Sequence, residues 1–197
     1  MPGARRIHVA VNPNFDREAG RDRLLQLVRE RAFRDNVDVT LASGKKSTFY
    51  IQGKKITLEP EGLYLLAQLL LAELEDFPEV TSIGGLTMGA DPIAAAMSVL
   101  SYGTTRPLPC FLVRKEPKGH GIGSQIEGEL AAGQKVAIIE DTITTGGSAQ
   151  KAIDAVRAVG AEPVVVLALA DREDEDGAAF RAEFTTRALF TTTEIRG

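Results

Sequence analysis

Two adjacent carboxylates, Glu140 and Asp141, stand directly before a run of small hydroxyl and glycine residues in the segment VAIIEDTITTGGS. Thr144, Thr145, Gly146, Gly147 and Ser148 carry little bulk, so successive backbone N–H groups can converge on a phosphate while the hydroxyls add donors. The helical pattern that begins at Ala149 would add the positive end of its dipole. The carboxylates would repel a bare phosphate. They make sense as acceptors for sugar hydroxyls, or beside a Mg²⁺ carried by the ligand. A phosphorylated sugar meets both demands; the plainer alternative is an acidic pair that only caps a turn. The loop has no GxxxxGK[ST] pattern and no lysine, which excludes a P-loop, and no GxGxxG, which disfavours a dinucleotide site.

A second stretch, residues 114–129 (RKEPKGHGIGSQIEGE), is rich in glycine and poor in apolar residues. Arg114, Lys115, Lys118 and His120 can all donate to anions. Long connections of this kind are usually lids or binding loops. The alternative is a solvated charged loop. Its position one strand before the acidic loop favours a lid.

These groups need a scaffold. At 197 residues the chain is expected to form one domain, with an N-terminal helix and hood over 1–58, a core over 59–197 and a mobile loop over 114–129. Residues 16–33 carry a helical apolar stripe of Leu24, Leu25, Leu27, Val28 and Ala32. Strands at 37–41 and 49–51, with turns at 43–46 and 53–55, form a small antiparallel unit. Pro60 suits the first turn of a helix that runs to Leu74. Strands then alternate with helices: strand 80–83 ending in Gly84-Gly85, helix 92–100, strands 110–113 and 135–139, helix 147–159 and strand 163–169. Continuous apolar strands separated by helices predict an α/β fold, a parallel sheet with helices on both faces. Ligands of such sheets sit beyond the carboxyl ends of the strands. Thr87–Asp91, Arg114-Lys115, Glu140–Ser148 and Asp171-Arg172 all fall there.

Composition narrows the classes. No apolar run approaches the ~20 residues that cross a bilayer, and residues 1–10 lack the apolar core of a secretory signal. Cys110 is the only cysteine, so no disulfide can form within the chain, which suits a reducing cytosol. It reads as a small buried hydrophobe. A net charge of −4 argues against general nucleic-acid binding. A cytoplasmic protein with neither a membrane nor a nucleic-acid partner is expected.

The residues also carry a resemblance. VAIIEDTITTGGSA resembles the phosphoribosyl diphosphate (PRPP) signature of type I phosphoribosyltransferases. VRKEPKGHG resembles the mobile catalytic loop of the orotate phosphoribosyltransferase family, TLASGKKSTFYI its N-terminal segment, and Asp171-Arg172 its late Asp-Arg pair. The likeness runs from about Thr40 to Arg172. It implies transfer of phosphoribosyl from PRPP to orotate, giving orotidine 5′-monophosphate and diphosphate in pyrimidine synthesis, with Mg²⁺. It implies PRPP contacts at Arg114, Lys115, Lys118, His120, Glu140, Asp141, Thr142, Ile143, Thr144, Thr145, Gly146, Gly147 and Ser148. It places Thr144, Arg172 and Tyr50 at orotate, and the catalytic work on Lys115, Lys118, His120 and Asp141. Mg²⁺ is expected to arrive with PRPP near Asp141, without an assigned protein ligand. His120 is expected either to protonate the departing diphosphate or to donate a hydrogen bond. A homodimer whose lids reach into the neighbouring site is implied as well. The chain departs from the family pattern at Ala42 and at Thr87-Met88, where cations are common, and at Tyr50-Ile51, where an aromatic pair is common. Residues 1–35 match poorly. A purine-using phosphoribosyltransferase and a PRPP-sensing regulator are the competing readings.

Overall fold

The computed structural model describes residues 14–40, 46–116 and 125–197. Asp16 caps helix α1 (Arg17–Leu27) by accepting from the Ala19 amide at 3.0 Å. Leu24 and Leu27 turn inward, and the chain continues as a π-helical turn over Val28–Ala32. Strand β1 (Phe33–Thr40) follows at once, so the extended segment starts earlier than the expected residue 37. It pairs antiparallel with β2 (Lys46–Ile51). Their register is irregular between Asp35 and Val39, where Asn36 takes φ 54°, a conformation Asn tolerates better than most residues. The expected turn at 53–55 is instead the start of a short helix, α2 (Lys54–Thr57). In α3 (Pro60–Glu73), Pro60 opens the helix and Glu59 accepts from the Gly62 amide at 2.7 Å.

The main sheet is built from β3 (Ser82–Leu86), β4 (Cys110–Val113), β5 (Ile126–Glu127), β6 (Lys135–Ile143), β7 (Glu162–Asp171) and β8 (Thr186–Thr191), with α4 (Asp91–Ser101), α5 (Gly147–Ala158), α6 (Ala178–Glu183) and α7 (Thr192–Arg196) between or after them. The strand order is β5-β4-β3-β6-β7-β8. All neighbours are parallel except β4 and β5. Alternate residues face opposite ways along a strand. Ala137, Ile139, Val165 and Leu167 pack with the apolar sides of α1, α3 and α4, whereas Val136, Ile138, Val166 and Ala168 pack with α5 and Phe180. The sheet is therefore covered on both faces, as the apolar strands require.

Several expectations are corrected. β3 does not stop before its glycines. A Cβ on Gly84 would stand 2.1 Å from the Phe111 carbonyl oxygen, and one on Gly85 2.2 Å from that of Ile139, so the neighbouring strands close in only because no side chain intervenes. β6 does not stop at Ile139 but pairs with β7 through the acidic residues, as far as Ile143 opposite Asp171. The stretch 114–129 is not wholly a loop. Ile126 is buried with Phe111 and Val113, which makes β5 an antiparallel edge strand. Helices α6 and α7 and strand β8 lie past the last expected element.

Candidate active site

At the carboxyl edge of the sheet a cleft of about 1030 Å³ is lined by residues from β2 and α2, the end of β6, the loop into α5, and the segment after β7. Of the residues singled out by sequence, Asp141, Thr142, Thr144, Thr145, Gly147, Ser148, Tyr50 and Arg172 line it. Topology explains the grouping. β6 and β7 are parallel neighbours, so both chain ends leave the sheet on the same side.

The loop is shaped by Gly146, whose φ of 82° lies in the left-handed region. α5 begins there without a side-chain cap, in contrast to α1 and α3. Its first amides, apart from the Gly147 N–H that reaches Thr145 Oγ1 at 3.3 Å, can therefore serve an anion at the positive end of the helix dipole. A Cβ on Gly146 would stand 2.2 Å from Phe180 Cγ, so α6 buttresses the loop from behind. Gly146 and the buried side chain of Ile143 do not line the cleft; Ile143 packs with Phe180 and offers only its backbone.

The two acids have separate environments. Asp141 lines the cleft, whereas Glu140 is only 7% exposed. Burial pushes the Glu140 carboxyl up to about 8; the neighbouring Asp141 charge adds to the rise and Lys54 opposes it. Glu140 Oε1 accepts from the Asp141 amide at 3.1 Å. The Thr87–Met88 peptide is cis, and Gly89, next in the chain, lies against both acids. Thr142 Oγ1 is buried at the cleft and has no partner among the described residues. No cage of three His, Cys, Asp or Glu side chains exists among the described residues. One or two carboxylates facing a cleft instead fit a hard cation that draws most of its oxygens from water and a phosphorylated ligand.

At the other end, Arg172 is buried, with Nε 3.2 Å from Asp174 Oδ2 and Nη2 donating to Ser47 Oγ at 3.1 Å. The preceding Asp171 is held by Arg181 at 3.2 Å and accepts from the Glu173 amide at 2.7 Å.

Arg114 and Lys115 do not line the cleft. Arg114 is paired instead with Glu127 of β5 at 2.7 Å. Lys118 and His120 lie outside the described residues, as does Ala42. Sequence reasoning missed Ser47, Phe49, Lys54 and Lys151 in the cleft wall. For the β2 residues the signal was the alternation of KSTFYI, which turns Ser47 and Phe49 to one side and Tyr50 to the other.

A mostly parallel sheet with an acidic strand end and a small-residue loop at its carboxyl edge defines a type I phosphoribosyltransferase. The same fold is shared with an adenine phosphoribosyltransferase from Leishmania donovani, at a TM-score of 0.61 and 18% identity. No family model matches the chain. Among curated proteins it is 46% identical over 186 residues to an orotate phosphoribosyltransferase of Rhodopseudomonas palustris, covering 92% of this chain and 98% of that one. The orotate phosphoribosyltransferase of Aquifex aeolicus is 44% identical over 156 residues, 78% of this chain and 85% of that one. Among solved structures, Mycobacterium tuberculosis orotate phosphoribosyltransferase in complex with PRPP matches at a TM-score of 0.73 and 34% identity, covering 90% of this chain and 99% of that one. The chain belongs to the orotate phosphoribosyltransferase family.

Proposed function

We infer that this pentosyltransferase of pyrimidine biosynthesis joins orotate to the phosphoribosyl group of PRPP, releasing diphosphate, with the two ends of the cleft dividing the substrates between them. The observation that carries the assignment is the placing of an acidic strand end and an uncapped helix start at one end, and a buried arginine at the other.

The loop from Thr142 to Ser148 holds the 5-phosphate with backbone amides and hydroxyls. Asp141 accepts from the ribose hydroxyls, and Glu140 supports it from behind. Arg172 forks onto the orotate carboxylate, Thr144 contacts the base, and Tyr50 covers the ring. Bond cleavage leaves positive charge on the ribose and negative charge on the departing diphosphate. The protein's task is to align the orotate nitrogen and stabilise the leaving group. Lys115, Lys118 and His120 donate to the diphosphate, and Arg114 anchors the lid that carries them. Mg²⁺, when bound, would neutralise part of the diphosphate charge; Asp141, the acid that lines the cleft, is the group beside which it would sit. The family's expected homodimer, with each lid closing on the neighbouring site in the cytoplasm, completes the reading.

Loss of orotate absorbance in the presence of PRPP and Mg²⁺ tests it. Turnover of orotate, with uracil far slower and neither hypoxanthine nor guanine used, is the expected result. Turnover of a purine base instead, or PRPP binding without turnover of any base, would overturn it.

A further inference from the structure

The arginine at the base end does not stand alone. Its guanidinium lies over the Phe49 ring, with the guanidinium carbon 4.3 Å from the centroid. Nη2 donates to Ser47 Oγ, whereas Nε lies 3.2 Å from Asp174 Oδ2 as an ion pair and makes no hydrogen bond among the described residues; neither contact uses Nη1. The ring is shared with a second guanidinium, that of Arg196 in α7, at 4.6 Å. Arg196 Nη2 in turn donates to Asp35 Oδ1 at 3.0 Å, and Asp35 sits opposite Phe49 in the β1–β2 register. Phe33 supports the ring from β1, with centroids 6.1 Å apart.

These contacts form one chain from Asp35 through Arg196 and Phe49 to Arg172. It ties α7, the two-stranded hood and the cleft together. An arginine that stacks through its face keeps its N–H edge available for a carboxylate. Stacking also fixes the plane of that edge, and bidentate recognition depends on the plane. We propose that Phe49 and Arg196 are positioning residues for Arg172, so that the orientation of the orotate-carboxylate contact is set from α7, outside the cleft. This rests on the assignment of Arg172 to the orotate carboxylate.

Phe49, in the cleft wall, and Arg196, outside it, have a signature distinct from general support of the fold. They act through one carboxylate contact, so they affect orotate and leave PRPP alone. They also lower the preference for orotate over uracil, which lacks the carboxylate.

The test measures KM for orotate and for PRPP separately, together with the orotate-to-uracil ratio of kcat/KM, in Phe49→Leu, Arg196→Met, Arg196→Lys and Arg172→Met. Phe49→Leu and Arg196→Met are expected to raise the orotate KM about 3- to 10-fold, the range that loss of a cation–π contact produces. The PRPP KM should stay within about twofold, below the change expected for orotate, and the orotate-to-uracil ratio should fall. Arg196→Lys keeps a cation over the ring and should recover most of the loss. Arg196 is half-exposed, so its variants fold even if those of Phe49 do not. Equal rises in both KM values would overturn the proposal, since they mark a collapsed hood. So would an unchanged orotate KM in Phe49→Leu and Arg196→Met beside a raised one in Arg172→Met. An unchanged orotate KM in Arg172→Met itself would remove the underlying assignment, and the positioning role with it.

Discussion

Gly89 lies against Glu140: a Cβ on Gly89 would stand 2.8 Å from Glu140 Oε1 and 3.4 Å from Asp141 Oδ1. The loop after β3 thus fixes where the buried acid can sit, although the two residues are distant in sequence. Gly89→Ala should push the Glu140 carboxyl aside and leave the core unchanged, because the clash falls on the end of a side chain and not on backbone. The expected result is a several-fold rise in the KM for PRPP with an almost unaltered melting temperature. A fall in melting temperature with no change in KM would show that the contact is only structural.

Glu140 also makes stability depend on pH. In the folded chain burial holds its proton to about pH 8, against an ordinary value of 4.5. Between those values the folded state binds more protons than the unfolded one, so stability falls as pH rises through this window. Its contribution is intact below the unfolded value and lost above the folded one. Glu140→Gln cannot ionise. In the absence of PRPP and Mg²⁺, its melting temperature relative to the parent should climb from about pH 5 to about pH 9. A difference that stays constant with pH would contradict the burial argument.

The left-handed Gly146 and its buttress Phe180 are coupled. Gly146→Ala forces a side chain into a strained conformation, worth roughly 1–2 kcal/mol, and also against the Phe180 ring. Calorimetry should show a clear loss of melting temperature, and PRPP binding should weaken at least tenfold, as expected when a bound phosphate loses its amide cradle. In a double-mutant cycle with Phe180→Ala the losses should be less than additive, because the second change removes the clash. Strict additivity would separate the two residues.

A lid shared across a dimer predicts complementation. Lys115→Ala removes a lid cation and Asp141→Asn disables a cleft. Neither homodimer should turn over orotate well. Unfolded and refolded together, they form hybrids in which one cleft has an intact Asp141 beneath an intact neighbouring lid. Activity should reappear in the mixture; continued inactivity, with hybrids shown by native mass spectrometry, would place each lid on its own cleft.

Much of the site was legible because it is local. The acid pair, the small-residue loop and the helix after it are contiguous, and β4 lies where its apolar run ends, Cys110–Val113. What escaped depends on distant neighbours. Nothing in the sequence near Gly84-Gly85 shows that flanking strands press against them, so the strand was expected to stop there. Ile126 alone, inside a polar stretch, gives no strand period, and only its burial beside Phe111 and Val113 makes β5. Phe180 reads as an ordinary apolar residue until α6 brings it beneath the loop. Arg114 was expected among the diphosphate donors, and its carboxylate partner Glu127 becomes a neighbour only through the β4–β5 pairing.

That pairing has a wider consequence. Val113 faces Ile126, the Arg114 amide donates to the Gln125 carbonyl at 2.8 Å, and the Gln125 side-chain amide returns a bond to the Arg114 carbonyl at 2.9 Å. Arg114 and Gln125, which flank the segment between them, thus stand side by side as two fixed posts. Adding residues between such posts costs free energy only with the logarithm of the length, about 0.6 kcal/mol per doubling. The reach of this segment can therefore be retuned over evolution, or by design, without renegotiating the register of a single strand beneath it.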